Sequence, residues 1–187
     1  MIWAAFTLAF FAFLCCTKFT FPGACNISSQ FNLTTDCVFF SPSLARPQHM
    51  LLKLKSSKTN SFRQRQSLVV ARCSSPLCPI SAMQRYFMLA QPWPGPMLYF
   101  QSGRLLTQSS VTHLLKDSAR CAGLPYDSLK GHSFRIGAAS AAGLPDWLIK
   151  VLGCWSSDCY QNGLCFRELY LVFCCCLGGC IACIWGG

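Results

Sequence analysis

His132 and Arg135 stand three positions apart in the run GHSFRIGAAS, and this spacing is where the sequence first offers chemistry. If the chain is helical from Ser133 onward, the two side chains lie one turn apart and project from the same end. An imidazole and a guanidinium can then converge on one small anion, and a phosphate suits the pair. Trp155 follows the next helical stretch and would cover the same site. Residue types alone leave this open, because a histidine and an arginine at this spacing with a nearby tryptophan occur in many folds.

A second chemical feature is charge. Residues 46–72 contain Arg46, Lys53, Lys55, Lys58, Arg63, Arg65 and Arg72 without one acidic residue. The whole chain of 187 residues carries 16 Lys and Arg against 6 Asp and Glu, a formal net charge of +10. The excess comes from the scarcity of acids, so an anionic partner is expected, either nucleic acid or a membrane surface. A solvated strand face is the bland alternative for such a run, and the missing acids weigh against it.

The elements that must hold these groups can be read coarsely from pattern. LLKLK alternates apolar and cationic side chains as a half-buried strand does, and SLVVA is a second β-rich run after the polar SKTNSFRQRQ. Together they predict a β-hairpin with cations on one face and at its tip. In PLCPISAMQRYFMLAQ, Ile80, Met83, Phe87 and Ala90 recur at helical spacing behind a proline suited to a first turn. PWPGP reads as a rigid turn, and MLYFQSGRLLT as an extended segment closing on Gly103. SSVTHLLKDSARCAG predicts a helix with a serine N-cap, a face of Leu114, Leu115, Ser118, Cys121 and Ala122, and a stop at Gly123. His113 on this helix is read as an ordinary surface or core residue. GAASAAG permits close helix packing. Pro145 and Asp146 open a further helix that buries Leu148, Ile149, Val151 and Leu152 before Gly153 ends it. Helix signals outnumber strand signals, so the expected fold is mainly α with a small antiparallel β-sheet, an α+β domain.

The length allows one domain with a real core. Fifteen cysteines in so short a chain would ordinarily imply a disulfide scaffold, but their positions follow no framework spacing. No CxxC pair is matched by a second pair or by a histidine pair at ligand spacing, so no metal site is expected. Residues 2–16, IWAAFTLAFFAFLCC, form an uninterrupted apolar run. Fifteen residues fall short of the roughly 20 needed to cross a bilayer, and neither a basic leader nor a small-residue cleavage pattern accompanies them. A signal segment or anchor and a buried core helix stand as equal readings. Asn26-Ile27-Ser28 and Asn32-Leu33-Thr34 are glycosylation sequons, a pattern common by chance.

The runs GHSFRIGAAS and GLPDWLIKVLGCWSSDCYQ closely resemble the end of the tyrosine recombinases carried by eukaryotic mobile elements of the DIRS and Crypton-like kind, relatives of the phage integrases. PLCPISAMQRY, GPMLYFQSGRLLT and LKSSKTNSFR fit the same family in the same order, and AFTLAFFAFLCCTKFT resembles the helix that begins its catalytic domain. The resemblance covers about residues 2–161. It implies a catalytic domain over residues 1–162, with the basic hairpin at about 50–72, followed by an unrelated apolar, cysteine-rich tail over 163–187. The chemistry it implies needs neither metal nor other cofactor. A tyrosine hydroxyl attacks a DNA phosphodiester to form a phosphotyrosyl bond, two arginines clamp the non-bridging oxygens, a hairpin lysine protonates the leaving oxygen, and a histidine or tryptophan supports the phosphate. His132 and Arg135 match the family's HxxR element, Trp155 the His/Trp position, and Lys58 the hairpin lysine.

Two positions depart from the family. Its first arginine closes the initial apolar helix, where this chain has Phe13-Leu14-Cys15, and a cysteine offers no charged fork. The nucleophilic tyrosine belongs about eight residues past the His/Trp position, where Gly163 stands. Tyr160 is the nearest substitute, and Cys154 replaces a basic residue before Trp155. The expectation is therefore a shortened, partly decayed copy that binds duplex DNA, as a homo-oligomer if it assembles there, and is impaired in strand transfer. Lys53, Lys55, Lys58, Arg63 and Arg65 would track the backbone, in the nucleus. The alternative is a small secreted or membrane-anchored cysteine-rich protein with its sequons glycosylated. An active recombinase using Tyr160, or a partner's tyrosine, is a third.

Overall fold

The first ten-residue helix explains why the fold assembles as it does. Helix α1 (Ile2–Phe11, IWAAFTLAFF) is apolar on every side, and such a helix is stable in water only as the centre of a core. Every residue from Ala4 to Phe10 is buried. Its one polar side chain, Thr7, is satisfied within the helix by donating to the carbonyls of Trp3 at 2.8 Å and Ala4 at 3.3 Å. Of the two readings of the opening run, the structure takes the core helix. No helix among the described residues is long and apolar enough to cross a membrane. The structure, a computed structural model, describes residues 1–21, 32–55, 66–91, 94–131 and 133–141.

The end of α1 is turned sharply. Leu14 N–H donates to Ala9 O at 2.8 Å and Phe13 N–H to Phe10 O at 3.2 Å, the double closure of a Schellman motif. Phe13 sits at φ 51, where glycine is the usual residue and an L side chain costs about 1–2 kcal/mol. The turn throws Cys15 into extended backbone, and a short 3-10 turn, Cys16–Lys18, follows.

Helix α2 (Pro79–Ala90) begins with proline in its first turn, where the missing N–H is unused, and buries Ile80, Met83 and Tyr86. The expected stripe is present, with Phe87 and Ala90 partly buried on its border. Helix α3 (Gln108–Cys121) corrects the sequence reading twice. Its N-cap is Thr107, whose hydroxyl accepts from Ser110 N–H at 3.1 Å, so Ser109 and Ser110 lie inside the first turn. Its buried face is Val111, Leu115, Ser118 and Ala119, while Cys121 is exposed and Leu114 half-buried. The stop is as expected, since Gly123 follows at φ 69. Helix α4 (Ser133–Ala141) packs against α1, with the Phe6 and Phe134 rings 4.5 Å apart and both fully buried.

The strands β1 (Val38–Ser41), β2 (His49–Leu54) and β3 (Gln66–Ala71) form one antiparallel sheet in that order. The pairing Met50↔Val70 and Leu52↔Leu68 joins β2 to β3, so the hairpin read from LLKLK and SLVVA is present. The register sends Val38, Met50, Leu52 and Val70 into the core and leaves Phe39, Lys53 and Val69 on the exposed face. Strand β1 adds to that hairpin a third strand that its four residues did not announce. Four α-helices and this sheet make the described residues an α+β fold. The predicted helix over residues 145–152, the hairpin tip, and the boundary between residues 162 and 163 lie outside the described residues.

Candidate nucleic-acid interface

The exposed face of the sheet carries Lys53, and Lys55 follows at its edge. Lys53 is paired across from Ser67 on β3, and its Nζ stands 4.3 Å from the centroid of the half-exposed Phe39 ring on β1. The ammonium thus rests on an aromatic face while remaining open to solvent, an arrangement worth about 0.5–1 kcal/mol at an exposed site. Lys55, just past the end of β2, is held differently. Its Nζ donates to Thr34 Oγ1 at 2.7 Å and lies 3.6 Å from Asp36 Oδ2, on the 3-10 turn Thr35–Cys37. The Thr34 hydroxyl keeps Asp36 below the usual carboxylate range against the opposing effect of burial, with a lesser contribution from the Lys55 charge. Because Asp36 is 71% exposed, the ion pair itself contributes at most about 1 kcal/mol.

Arg72 belongs to the same basic run but serves the fold. Its Nε donates to Pro47 O at 2.6 Å, and its two terminal nitrogens reach Ser81 Oγ at 3.1 Å and Gln84 Oε1 at 2.7 Å. Gln84 in turn donates to the carbonyls of Leu44 and Ala45. One guanidinium therefore ties the end of β3 to the β1–β2 connection and to α2. Arg46 is exposed on that connection.

Across the core, the start of α4 meets the turn after α1. Cys16 N–H donates to Gly131 O at 3.3 Å. The approach is so close that a Cβ on Gly131 would lie 2.0 Å from Cys16 Sγ, and only glycine fits without movement. Ser133 closes the next turn by accepting from Lys130 N–H at 3.0 Å and donating its own N–H to Lys130 O at 2.9 Å. Arg135 follows on the first turn of α4, half-buried, with its Nε inside the protein. On the other side of the junction, Cys15 Sγ accepts from Thr17 Oγ1 at 3.2 Å, and the Cys16 thiol is pushed far up by its hydrogen bond with Cys15 and by burial. Neither cysteine supplies positive charge here.

Asn32 pins the Cys16–Lys18 turn. It is 6% exposed, and its side-chain amide donates to Thr17 O at 2.8 Å and to Thr20 O. A glycan on that nitrogen is incompatible with this fold, which removes one of the two sequons as a usable acceptor. Asn26 lies outside the described residues.

Of the candidate residues, Lys53 and Lys55 are brought together at the end of β2, and Arg135 stands at the α1–α4 junction. His132, Lys58, Arg63, Arg65, Trp155 and Tyr160 lie outside the described residues. Sequence reading missed Thr34 and Asp36 as anchors of Lys55, and the seat of Gly131 on Cys16. A glycine before a histidine was visible, but nothing local marks which distant side chain it must clear. Among the described residues, no group of three or more His, Cys, Asp or Glu is placed to hold a metal ion. Comparison with models of known protein families, with curated proteins and with solved structures gives no match.

Proposed function

We propose that this chain is a DNA-binding protein of the tyrosine-recombinase type, impaired in phosphotyrosyl strand transfer. The observation that carries the reading is the junction of Cys16 with Gly131. In the family that the sequence resembles, two arginines clamp one phosphate, the first at the end of the opening helix and the second in the HxxR element. Here the turn after α1 and the start of α4 are in contact, so the two segments bearing those positions are neighbours. Arg135 fills the second position and Cys15 stands at the first.

The chemistry follows from that pairing. One arginine offers a planar fork to a phosphate, and a thiol at the other position offers none. Loss of one such donor lowers the rate of strand transfer by roughly 10²- to 10³-fold. Without an in-register tyrosine the covalent step has no assigned nucleophile, and Tyr160 is the residue that could replace it. Backbone binding is spread over many cations, so it survives losses that end catalysis. The partner is duplex DNA, bound without a small-molecule cofactor, in the nucleus, with a homo-oligomer on DNA as the assembled form.

The test is to mix the full chain with duplex DNA and measure both retention and covalent attachment. Salt-sensitive retention with no adduct surviving denaturing detergent is the expected result. An adduct abolished by Tyr160→Phe would replace the reading with an active recombinase. No retention at low salt by folded protein would overturn it.

A further inference from the structure

Cys73 and Cys78 are drawn together by a tight connection between β3 and α2. Cys73 is exposed and follows Arg72, and Cys78 is 1% exposed and caps the N-terminus of α2. Cys73 N–H donates to Cys78 Sγ at 3.3 Å, and each thiol is a side-chain hydrogen-bond partner of the other. The turn between them is held by Cys78 N–H to Ser75 O at 3.0 Å and Leu77 N–H to Ser75 Oγ at 3.1 Å. The described residues include four other cysteines, and none offers this combination. Cys15, Cys16 and Cys37 are buried, and Cys121 is exposed at the end of α3.

We propose that Cys73 and Cys78 are a reversible thiol switch, oxidised to an intramolecular disulfide by a low-molecular-weight disulfide such as oxidised glutathione. The exposed Cys73 is the entry thiol. Its thiolate attacks one sulfur of the oxidant, releasing one thiol and leaving a mixed disulfide. The Cys78 thiolate then attacks Cys73 Sγ, expelling the second thiol. Two protein thiols are oxidised and one disulfide is reduced to two thiols, which carry away the two protons. The site does not depend on DNA binding.

The environments of the two groups fit these roles. Burial works to raise the Cys78 thiol, but hydrogen bonds from the backbone of Cys73 and Ser81, from the Ser81 hydroxyl and from the Cys73 side chain outweigh it, bringing it down to about 7. Cys78 is therefore ready as a thiolate near neutrality. Cys73 is shifted upward by burial and by Cys78, so entry is the slower step. The disulfide would join β3 to α2 beside the Arg72 tie, which already holds the two elements together.

The reduced full-length protein is incubated with oxidised glutathione, alkylated and digested with trypsin. The peptide from Cys73 to Arg85 contains these two cysteines and no other. It is expected unalkylated and about 2 Da light from the loss of two hydrogens, and restored by dithiothreitol. At neutral pH the mixed disulfide on Cys73 of the folded protein should resolve to this bond about threefold faster than that of the same chain in urea, where Cys78 is an ordinary thiol. Cys78→Ser should leave glutathione trapped on Cys73. A doubly alkylated peptide from folded wild-type protein, a stable glutathione adduct on its Cys73, or resolution of the mixed disulfide no faster than in urea would each overturn the proposal.

Discussion

Replacing Gly131 with alanine tests the junction on which the functional reading rests. The added Cβ would meet Cys16 Sγ at 2.0 Å and Cys16 Cβ at 3.3 Å, with Gln108 Nε2 at 3.6 Å. Cys16 is fully buried between α1 and the start of α4, so its sulfur cannot swing into solvent and the backbone must part. Overpacking of this kind costs about 1–3 kcal/mol. For a chain of this size, each kcal/mol moves Tm by roughly 2–4 °C, giving a fall of roughly 2–12 °C. Cys16→Ala removes the clashing sulfur, leaving the 3.3 Å Cβ contact as the tightest, so Gly131→Ala should cost much less in that background than in the wild type. Thermal and urea melts of the four proteins, followed by far-UV circular dichroism, give the coupling energy. Equal costs of Gly131→Ala in both backgrounds, or no cost in the wild type, would show that the two segments do not meet as described.

Other perturbations probe the elements that hold this junction and the interface. Phe134→Ala should destabilise the fold by about 3–5 kcal/mol, since the ring is fully buried against Phe6, and urea unfolding checks it. Thr107→Ala should cost about 1 kcal/mol through loss of the α3 N-cap, while Ser109→Ala, expected from sequence to be comparable, should be nearly silent in the same melts. The Cys78 thiol is lowered to about 7 in the fold, below an ordinary thiol at about 8.5. Its contribution to stability is thus fully present above the ordinary value and lost as pH falls through about 7. Urea midpoints of reduced protein from alkaline to mildly acid pH should show this decline, and Cys78→Ser should flatten it.

What the sequence made legible was local periodicity. The stripe of Ile80 and Met83 marked α2, and the alternation in LLKLK with the β-rich SLVVA marked the hairpin, because both patterns are set by the side-chain repeat of a single element. Strand β1 was hidden because VFFS has no alternation, and only pairing with β2 sorts Phe39 outward from Val38 and Phe40. The α3 face was misjudged because Cys121, apolar by type, falls on the solvent side once Thr107 sets the helix start. The opening run allowed an anchor or a core helix, and the packing of Phe6 on Phe134 decided for the core. Long-range contacts left the least trace. Nothing near Lys55 foretold that Thr34 and Asp36 would hold it, and nothing near Gly131 pointed to Cys16.

If the hairpin face grips the DNA backbone as proposed, its lysines must show in the salt dependence of binding. Each phosphate contact contributes about 0.9 to the slope of log K against log salt on duplex DNA. Lys53→Ala with Lys55→Ala should therefore lower the slope by at most roughly 1.8, the sum of two full shares of about 0.9. Lys53, over the Phe39 ring and without an ion pair among the described residues, should deliver its full share, and Lys55, competed for by Asp36, somewhat less. A double variant that melts like the wild type and shows this loss of slope is the predicted result. A folded double variant that keeps the wild-type slope would contradict the account.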